Sequence, residues 1–207
     1  MLTQQLRCAE VLDRRVLDTF AQVPREHFVP VAYRGLAFAD TEIPLPHGQC
    51  MLTPLNEGRI LQALALRPQD RVLEIGTGSG YLAACLAQLG SQVTSIDIFP
   101  ELVDSAQQKL DALGIVNCEL RVGDAFSIEP GEFDAIAVTG SLPAWDERFE
   151  QWLRPGGRLF LVVGRRQPME AWRVERSADG SEWQRKPLFE TVIPRLLHAP
   201  DPAEFLF

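Results

Sequence analysis

The sequence predicts an α/β protein with a doubly wound, mostly parallel sheet that closes in an antiparallel hairpin. First, the apolar run 72–75 leads through three closely spaced glycines into residues 82–87, which have the composition of a helix. Second, strand-like and helix-like segments alternate from there to residue 163. Third, residues 169–176 and 183–193 flank a turn at 178–181, as in a β-hairpin. Together these patterns favour parallel strands with one antiparallel edge.

The remaining elements follow from apolar periodicity and from residues that start or stop helices. Residues 1–20 carry apolar side chains close to a helical stripe, which predicts one amphipathic helix. Residues 43–54 form a loop, and Thr53 and Pro54 suit the N-cap and first position of a helix that ends before Pro68. Further strands are predicted at 93–97, 118–122, 133–138 and 159–163, and a further helix at 100–113.

The length of 207 residues suits one domain, in which we predict two parts. Residues 1–66 form an N-terminal lid and substrate-loop segment, and residues 67–207 form a cofactor-binding sheet core. Hydrophobic residues make up 46% of the chain and charged residues 23%, which is typical of a soluble globular protein. No stretch resembles a signal peptide or reaches transmembrane length, so neither secretion nor a membrane partner is expected.

The spacing of the cysteines indicates the cellular compartment, and the net charge indicates which partners to expect. The cysteines show no CxxC pairing and the three histidines are far apart, so we expect no disulfide framework, no metal site and a cytoplasmic location. The net charge of −8 argues against a nucleic-acid partner. Residues 154–195 nevertheless carry nine basic and five acidic residues. This segment is either a solvated hairpin face or a basic rim that attracts an acidic substrate.

The glycine turn indicates a ligand site. Gly76, Gly78 and Gly80 stand at every second position, two residues after the acidic Glu74. Glycine lets the backbone approach a ligand closely, and the free N–H groups of the following helix face that ligand. The alternative is a tight strand-to-helix turn without a ligand. The G-x-G-x-G spacing differs from the G-x-G-x-x-G of dinucleotide sites and resembles motif I of S-adenosylmethionine-dependent methyltransferases. We therefore favour an adenosyl cofactor with an amino-acid tail.

Two acidic residues end the strands that follow the glycine turn. Asp97 lies about twenty residues beyond the glycines, where a carboxylate can accept hydrogen bonds from both ribose hydroxyls. Asp124 follows the next strand and could accept from the adenine amino group. A helix-capping role is the alternative for such an acid. The predicted cofactor site comprises Glu74, Gly76, Thr77, Gly78, Gly80, Tyr81, Asp97, Ile98, Asp124, Ala125 and Thr139.

The chain resembles the protein-L-isoaspartate (D-aspartate) O-methyltransferases over nearly its whole length. The resemblance begins with Val-Pro-Arg-Glu-His-Phe-Val-Pro at 23–30 and continues in the same order at 33–34, 36–40, 48–49, 72–81, 101–103, 133–136, 138–139 and 154–159. It implies the class I methyltransferase fold with a seven-stranded sheet and S-adenosylmethionine as methyl donor. The acceptor would be the carboxylate of isoaspartyl or D-aspartyl residues in damaged proteins, which makes the enzyme a protein-repair methyltransferase.

The acceptor loop departs from the family pattern. The family typically has Gly-Gln-Thr-Ile-Ser-Gln-Pro, whereas residues 48–54 are Gly-Gln-Cys-Met-Leu-Thr-Pro. Leu52 therefore takes the place of the serine that the family is regarded as using near the substrate carboxylate. Cys50 and Thr53 are the candidate donors that replace it, and Gln49 and Met51 complete the predicted substrate loop. Ala125 also follows Asp124 where the family usually has glycine.

Three functions are compatible with these residues. Methyl transfer from a sulfonium requires orientation and exclusion of water rather than a metal or a covalent nucleophile, so the lack of a triad does not argue against catalysis. The first function is isoaspartyl carboxyl methylation. The second is methylation of a different, less polar small molecule by a loop lined with Cys50, Met51 and Leu52. The third is a cofactor-binding domain that does not catalyse and acts through partners.

Overall fold

The computed structural model describes residues 2–202, and its main feature is a seven-stranded sheet. Two short strands, β1 (Ile43–Pro44) and β2 (Cys50–Met51), pair separately and antiparallel. The sheet consists of β3 (Arg71–Ile75), β4 (Gln92–Asp97), β5 (Cys118–Val122), β6 (Phe133–Leu142), β7 (Leu153–Val163), β8 (Met169–Arg176) and β9 (Trp183–Thr191). The order β5-β4-β3-β6-β7-β8-β9 is parallel up to β7 and antiparallel from β7 to β9. The predicted doubly wound sheet with a closing hairpin is confirmed.

The α-helices begin and end mostly where the predicted caps lie. They are α1 (Leu2–Cys8), α2 (Arg14–Gln22), α3 (Pro54–Leu64), α4 (Tyr81–Leu89), α5 (Pro100–Ala112) and α6 (Arg148–Gln151). Thr53 caps α3 as predicted, because the Asn56 N–H donates to Thr53 Oγ1 at 3.3 Å. The helix ends when Ala65 adopts a left-handed φ of 45°.

The prediction of one helix over residues 1–20 is wrong, since the chain turns between α1 and α2. Glu10 has a φ of 64°, and the Asp13 side chain caps α2 by accepting from the Arg15 N–H. The Gln62 side chain on α3 fixes this turn, because its Oε1 accepts from Leu12 N at 2.6 Å and Asp13 N at 3.0 Å. A hydrogen bond from a residue about fifty positions away therefore overrides the local helical periodicity.

Two apolar clusters are buried, one on each face of the sheet. The larger cluster packs α1, α2, α3 and α4 against one face, and all seven residues 81–87 of α4 are buried. The smaller cluster packs α6, with Phe149 fully buried, against the other face. In the described residues, no helix is long and apolar enough to cross a membrane. Helices therefore cover mainly one face of the sheet, and the short α6 packs with loop residues on the other face.

Three strands differ in length from the prediction. β7 begins at Leu153 rather than at 159, so the predicted turn at 155–157 lies within the strand. β6 continues to Leu142, and the last strand stops at Thr191 rather than at 193. The residues after β9 then run parallel to the end of β6, where the Ser141 N–H donates to Pro194 O and the Leu196 N–H donates to Ser141 O. Residues 193–199 therefore lie at the carboxyl end of the parallel strands.

Candidate active site

The main cavity lies at the carboxyl ends of β3, β4 and β6, where open α/β sheets bind their ligands. It encloses about 870 Å³ of space, including its open mouth. Its wall is formed by the glycine turn and the strand ends, by the acceptor loop at residues 49–52, and by residues 194–197 after β9. The glycine turn, where the methyl donor is predicted, and the acceptor loop therefore face the same cavity.

The three glycines of the turn have positive φ angles and three different surroundings. A Cβ on Gly76, with φ 99°, would lie 2.3 Å from Thr139 Oγ1. Gly78, with φ 52°, lines the cavity and donates its N–H to Asp97 Oδ2 at 2.9 Å. A Cβ on Gly80, with φ 84°, would lie 2.7 Å from Ala106 Cβ of α5. Glycine is therefore required for the left-handed backbone and, at the first and third positions, for space.

Asp97 holds the glycine turn and also lines the cavity. Its side chain is buried, with 7% exposed, and its Oδ1 accepts from the Phe99 N–H at 3.0 Å while Oδ2 accepts from Gly78. The Phe99 bond corresponds to the capping role considered from the sequence, since Phe99 is the N-cap of α5. Each carboxylate oxygen has two lone pairs, so capping leaves acceptor capacity on the cavity side.

Asp124 has a partner that the sequence did not suggest. Its Oδ1 accepts from the Phe126 N–H at 2.9 Å, and its Oδ2 lies 2.7 Å from His198 Nδ1. Burial raises the pKa of Asp124, but the hydrogen bonds from His198 and from the Phe126 N–H, together with the charges of His198 and Arg148, lower it overall. The residue predicted to bind adenine is therefore tied to the segment after β9.

Glu74 is a buried carboxyl on the cavity wall. Ser95 Oγ donates to its Oε2, and that hydroxyl lies 2.6 Å from Thr77 Oγ1. Its Oε1 has no hydrogen-bond partner within residues 2–202. Burial raises the pKa of Glu74 to about 8, partly offset by Ser95, and the charges of Asp97 and Glu57 raise it further. A buried acceptor without a partner at a cavity wall is a place for a ligand's hydrogen-bond donor.

Glu74→Gln is expected to remove a pH-dependent loss of stability. The folded-state pKa of about 8 lies above the ordinary value of 4.5, so between these values the unfolded chain releases the proton and the folded protein keeps it. Stability therefore falls as pH rises through this window, by up to roughly 5 kcal/mol for this group. In urea unfolding, the variant should gain stability relative to the parent between pH 5 and pH 8.5. The exposed variant Glu129→Gln serves as control, and parallel pH profiles for Glu74→Gln and the parent would contradict the assignment.

The acceptor loop presents apolar atoms to the cavity. Met51 and Leu52 are buried parts of the wall. Cys50 also lies in the wall, and burial, followed by the charge and hydrogen bond of Glu42, raises the pKa of its thiol to about 12. The Leu52 carbonyl accepts from Arg25 Nη2 at 2.7 Å. The loop is therefore held through its backbone, and Cys50 carries a neutral thiol.

A sequence model of the protein-L-isoaspartate(D-aspartate) O-methyltransferases matches residues 1–193. The chain belongs to this family. It is 42% identical over 166 residues to protein-L-isoaspartate O-methyltransferase 1 of Rhodopseudomonas palustris, covering 79% of this chain and 68% of that protein. It is 34% identical over 200 residues to the Aeropyrum pernix enzyme of that name, covering 94% of this chain and 77% of the relative. Both relatives carry the family name, which agrees with the resemblance predicted from the motifs.

Solved structures support the same fold. A Plasmodium falciparum chain assigned to protein-L-isoaspartate O-methyltransferase, crystallised with S-adenosyl-L-homocysteine, superposes with a TM-score of 0.82 at 22% identity. The superposition covers 94% of this chain and 96% of the other. A second protein-L-isoaspartate O-methyltransferase superposes with a TM-score of 0.78 at 23% identity over 94% of this chain and 64% of its own. The class I methyltransferase fold predicted for the chain is confirmed.

The structure gathers most of the predicted site residues of this family member around one cavity. From the predicted cofactor site, the wall contains Glu74, Gly76, Thr77, Gly78, Asp97, Ile98, Asp124, Ala125 and Thr139. From the predicted acceptor loop, it contains Gln49, Cys50, Met51 and Leu52. No group of three or more His, Cys, Asp or Glu side chains in residues 2–202 could hold a metal ion.

Three predicted site residues are placed outside the wall. Thr53 accepts from the Asn56 N–H at the start of α3 and does not line the cavity. Gly80 packs against α5. The Tyr81 side chain is fully buried between Phe20 and Phe28, with ring centroids 5.8 Å and 5.5 Å away. Its position directly after the glycines suggested a cofactor contact, but the first turn of α4 directs the ring into the core.

Sequence reasoning missed two histidines that contact residues of the cavity wall. His198 contacts Asp124, and the His47 ring stacks on Phe99 with centroids 4.1 Å apart and planes at 3°. The His47 Nε2 also lies 3.3 Å from a Glu101 carboxylate oxygen. Neither histidine has a motif or a spacing that relates it to its partner, so the sequence contained no pattern that could have found them.

The positive segment 154–195 contributes little free charge to the cavity. Several of its arginines are in ion pairs with acidic residues, namely Arg158 with Asp70, Arg173 with Glu175, Arg185 with Glu150 and Arg195 with Asp201. Arg195 is the member of this group that lines the main cavity. The structure thus favours a paired hairpin face over a basic rim for an acidic substrate.

Proposed function

We propose that the protein transfers the methyl group of S-adenosylmethionine to the carboxylate of isoaspartyl or D-aspartyl residues in damaged proteins. The observation that carries this proposal is the shared cavity, in which the glycine turn and the acceptor loop of a family member face each other. The relatives are named for isoaspartate methylation. The substrate would accordingly be a polypeptide.

The residues present fit an adenosylmethionine cofactor. Glu74 has a buried carboxyl oxygen without a partner, and the charge of a bound cationic group would favour the ionised form of this carboxyl. The glycines leave the turn free of side chains. Asp97 would hold the ribose hydroxyls, and Asp124 would face the adenine amino group. When bound, the cofactor supplies a methyl carbon that is already activated by the adjacent sulfonium.

The chain's own residues would orient the acceptor and exclude water. Met51 and Leu52 form an apolar wall, which strengthens electrostatic interactions inside the cavity. An acceptor carboxylate is ionised near pH 7, so no general base is needed. The raised pKa of Cys50 keeps its thiol protonated, so this cysteine does not compete as a nucleophile.

One assay tests the proposed reaction directly. The purified protein is incubated with S-adenosylmethionine carrying a labelled methyl group and with an isoaspartyl peptide, beside the same peptide containing normal aspartate. We expect base-labile label on the isoaspartyl peptide alone. Tight cofactor binding without transfer to either peptide would overturn the proposal and favour the non-catalytic alternative.

A second candidate function is methylation of a less polar small molecule, and Leu52 is the observation that favours it. Leu52→Ser is expected to raise kcat/KM for the isoaspartyl peptide about tenfold or more, because a hydroxyl bonded to a charged carboxylate contributes roughly 1.5–3 kcal/mol. Leu52→Ala removes the same bulk without adding a donor and is the matched control. Equal kinetics of the two variants would speak for the second function.

The remaining predictions concern the cellular location, the division of the chain into two parts and the absence of a nucleic-acid partner. We propose that the reaction takes place in the cytoplasm, in agreement with four cysteines that are all free. The division into a lid and substrate-loop segment, 1–66, and a cofactor-binding core, 67–207, stays a prediction. No nucleic-acid partner is proposed for a chain with a net charge of −8.

A further inference from the structure

The guanidinium of Arg25 is fully buried and contacts four parts of the chain. Its Nε donates to Ala37 O at 2.8 Å, and its Nη2 donates to Leu52 O at 2.7 Å. Its Nη1 forms an ion pair with the Glu57 carboxylate. Its central carbon lies 4.7 Å from the centroid of the Tyr81 ring. All these contacts are made inside the protein.

These contacts join the two sides of the main cavity. Leu52 and Glu57 both line the cavity on the acceptor side. Tyr81 is the first residue of α4, directly after the glycine turn. Ala37 follows the exposed 3-10 segment Val31–Leu36 of the predicted lid. One side chain therefore connects the lid, the acceptor loop and the helix that follows the glycine turn.

Stability alone is a weak reason for such an arrangement. Taking an arginine and a glutamate out of water costs several kcal/mol for each ion, and well-packed apolar residues often stabilise a core equally well. A guanidinium, however, presents donors in a fixed planar fork, so the carbonyls it binds are held at defined positions. Arg25 thus holds two carbonyls in place, and one of them belongs to Leu52.

We infer that Arg25, with Glu57 as its counter-ion, is the positioning residue that sets the acceptor loop against the glycine turn. The inference rests on the proposed methyl transfer. The strand pairing of Cys50 and Met51 with residues 43–44 holds one end of the loop, and the bond from Arg25 to the Leu52 carbonyl holds the next residue. A misplacement of about 1 Å can lower the rate about 100-fold when the reacting atoms must be aligned.

The chain contains a matched control in the ion pair of Arg158 and Asp70. Both side chains are nearly as buried as the first pair, with 6% and 4% exposed. Arg158 likewise donates to backbone carbonyls, those of Leu64 at 2.9 Å and Ala65 at 3.2 Å. This pair lies at the amino end of the strands and does not line the main cavity. The Arg158–Asp70 pair therefore matches the Arg25–Glu57 pair in its chemistry but does not contact the proposed reaction site.

The test compares Arg25→Lys with Arg158→Lys in the full chain. We expect both variants to lose stability and both to keep the dissociation constant for S-adenosylmethionine within about threefold. Only Arg25→Lys should lower kcat/KM for the isoaspartyl peptide at least tenfold, mainly through kcat. It should also speed amide hydrogen exchange across residues 49–53, whereas Arg158→Lys should leave that exchange unchanged.

A second variant keeps the test decisive if Arg25→Lys does not fold. Arg25→Met/Glu57→Met removes both buried charges together, which proteins often tolerate, and it should show the same kinetic loss and faster exchange at 49–53. Equal effects of the two single variants, or unchanged exchange at 49–53, would overturn the positioning role. An inactive parent would refute the proposed methylation instead, and the exchange measurement would still decide the role of Arg25.

Discussion

Replacing Asp97 with alanine is expected to weaken S-adenosylmethionine binding at least tenfold, and on the order of 100-fold. The carboxylate accepts from the Gly78 N–H at 2.9 Å and from the Phe99 N–H at 3.0 Å while lining the cavity. Its loss would free the glycine turn and remove the proposed ribose acceptor. Hydrogen bonds to a charged group contribute roughly 1.5–3 kcal/mol each, and about 2.7 kcal/mol corresponds to 100-fold. Titration calorimetry measures the dissociation constant directly.

Asp134→Ala provides the control for this variant. Asp134 also bonds a backbone amide with its carboxylate, accepting from the Arg71 N–H at 2.8 Å, but it lies near the amino end of β6. It should lose some stability and retain full cofactor affinity. Unchanged affinity of Asp97→Ala would refute the assignment of Asp97 to the cofactor site.

Gly80→Ala is expected to destabilise the fold by roughly 3–4 kcal/mol. Gly80 has φ 84°, which is unfavourable for alanine, and the new Cβ would lie 2.7 Å from Ala106 Cβ and 3.2 Å from the Ala106 Cα. The clash involves a helix backbone, so it cannot be relieved by rotating a side chain. For a chain of this size, the melting temperature should fall by about 10 °C in calorimetry.

Two companion variants separate the causes. Gly114 also has a positive φ, 66°, yet a Cβ there would meet no atom within 4 Å, so Gly114→Ala should cost only about 1 kcal/mol. Ala106→Gly removes the Cβ that the new alanine would meet. The double variant Gly80→Ala/Ala106→Gly should therefore be more stable than the sum of the two single losses in unfolding free energy predicts. Equal losses at Gly80 and Gly114 would show that the contact with α5 is unimportant.

The sheet could be predicted because its strands and turns depend on residues that are close together in the sequence. The strand before Gly76 is a short apolar run that ends at a glycine, and the Thr53–Pro54 start of α3 is a local capping pattern. Asp97 could be assigned to the cavity because the carboxyl ends of parallel strands share one edge. Each of these predictions needed only the spacing of neighbouring residues.

The missed features all depend on partners distant in sequence. The turn between α1 and α2 is fixed by Gln62, and Asp124 meets His198 across 74 positions. Tyr81 turned into the core because apolar rings from α2 and the following segment surround it. No sequence periodicity predicts such long-range contacts, so only the three-dimensional structure shows them.

The cavity wall combines residues 49–52 with residues 194–197, which lie almost 150 positions apart. Two segments so far apart in sequence come together only through long-range contacts, and the formation of such contacts is slow in folding. The binding-competent cavity should therefore form late in folding, and the parallel strands β3 to β7 alone should not provide it. A ligand bound there would stabilise the folded chain as a whole by mass action. Local opening of either wall would lower the apparent affinity in proportion to the closed fraction.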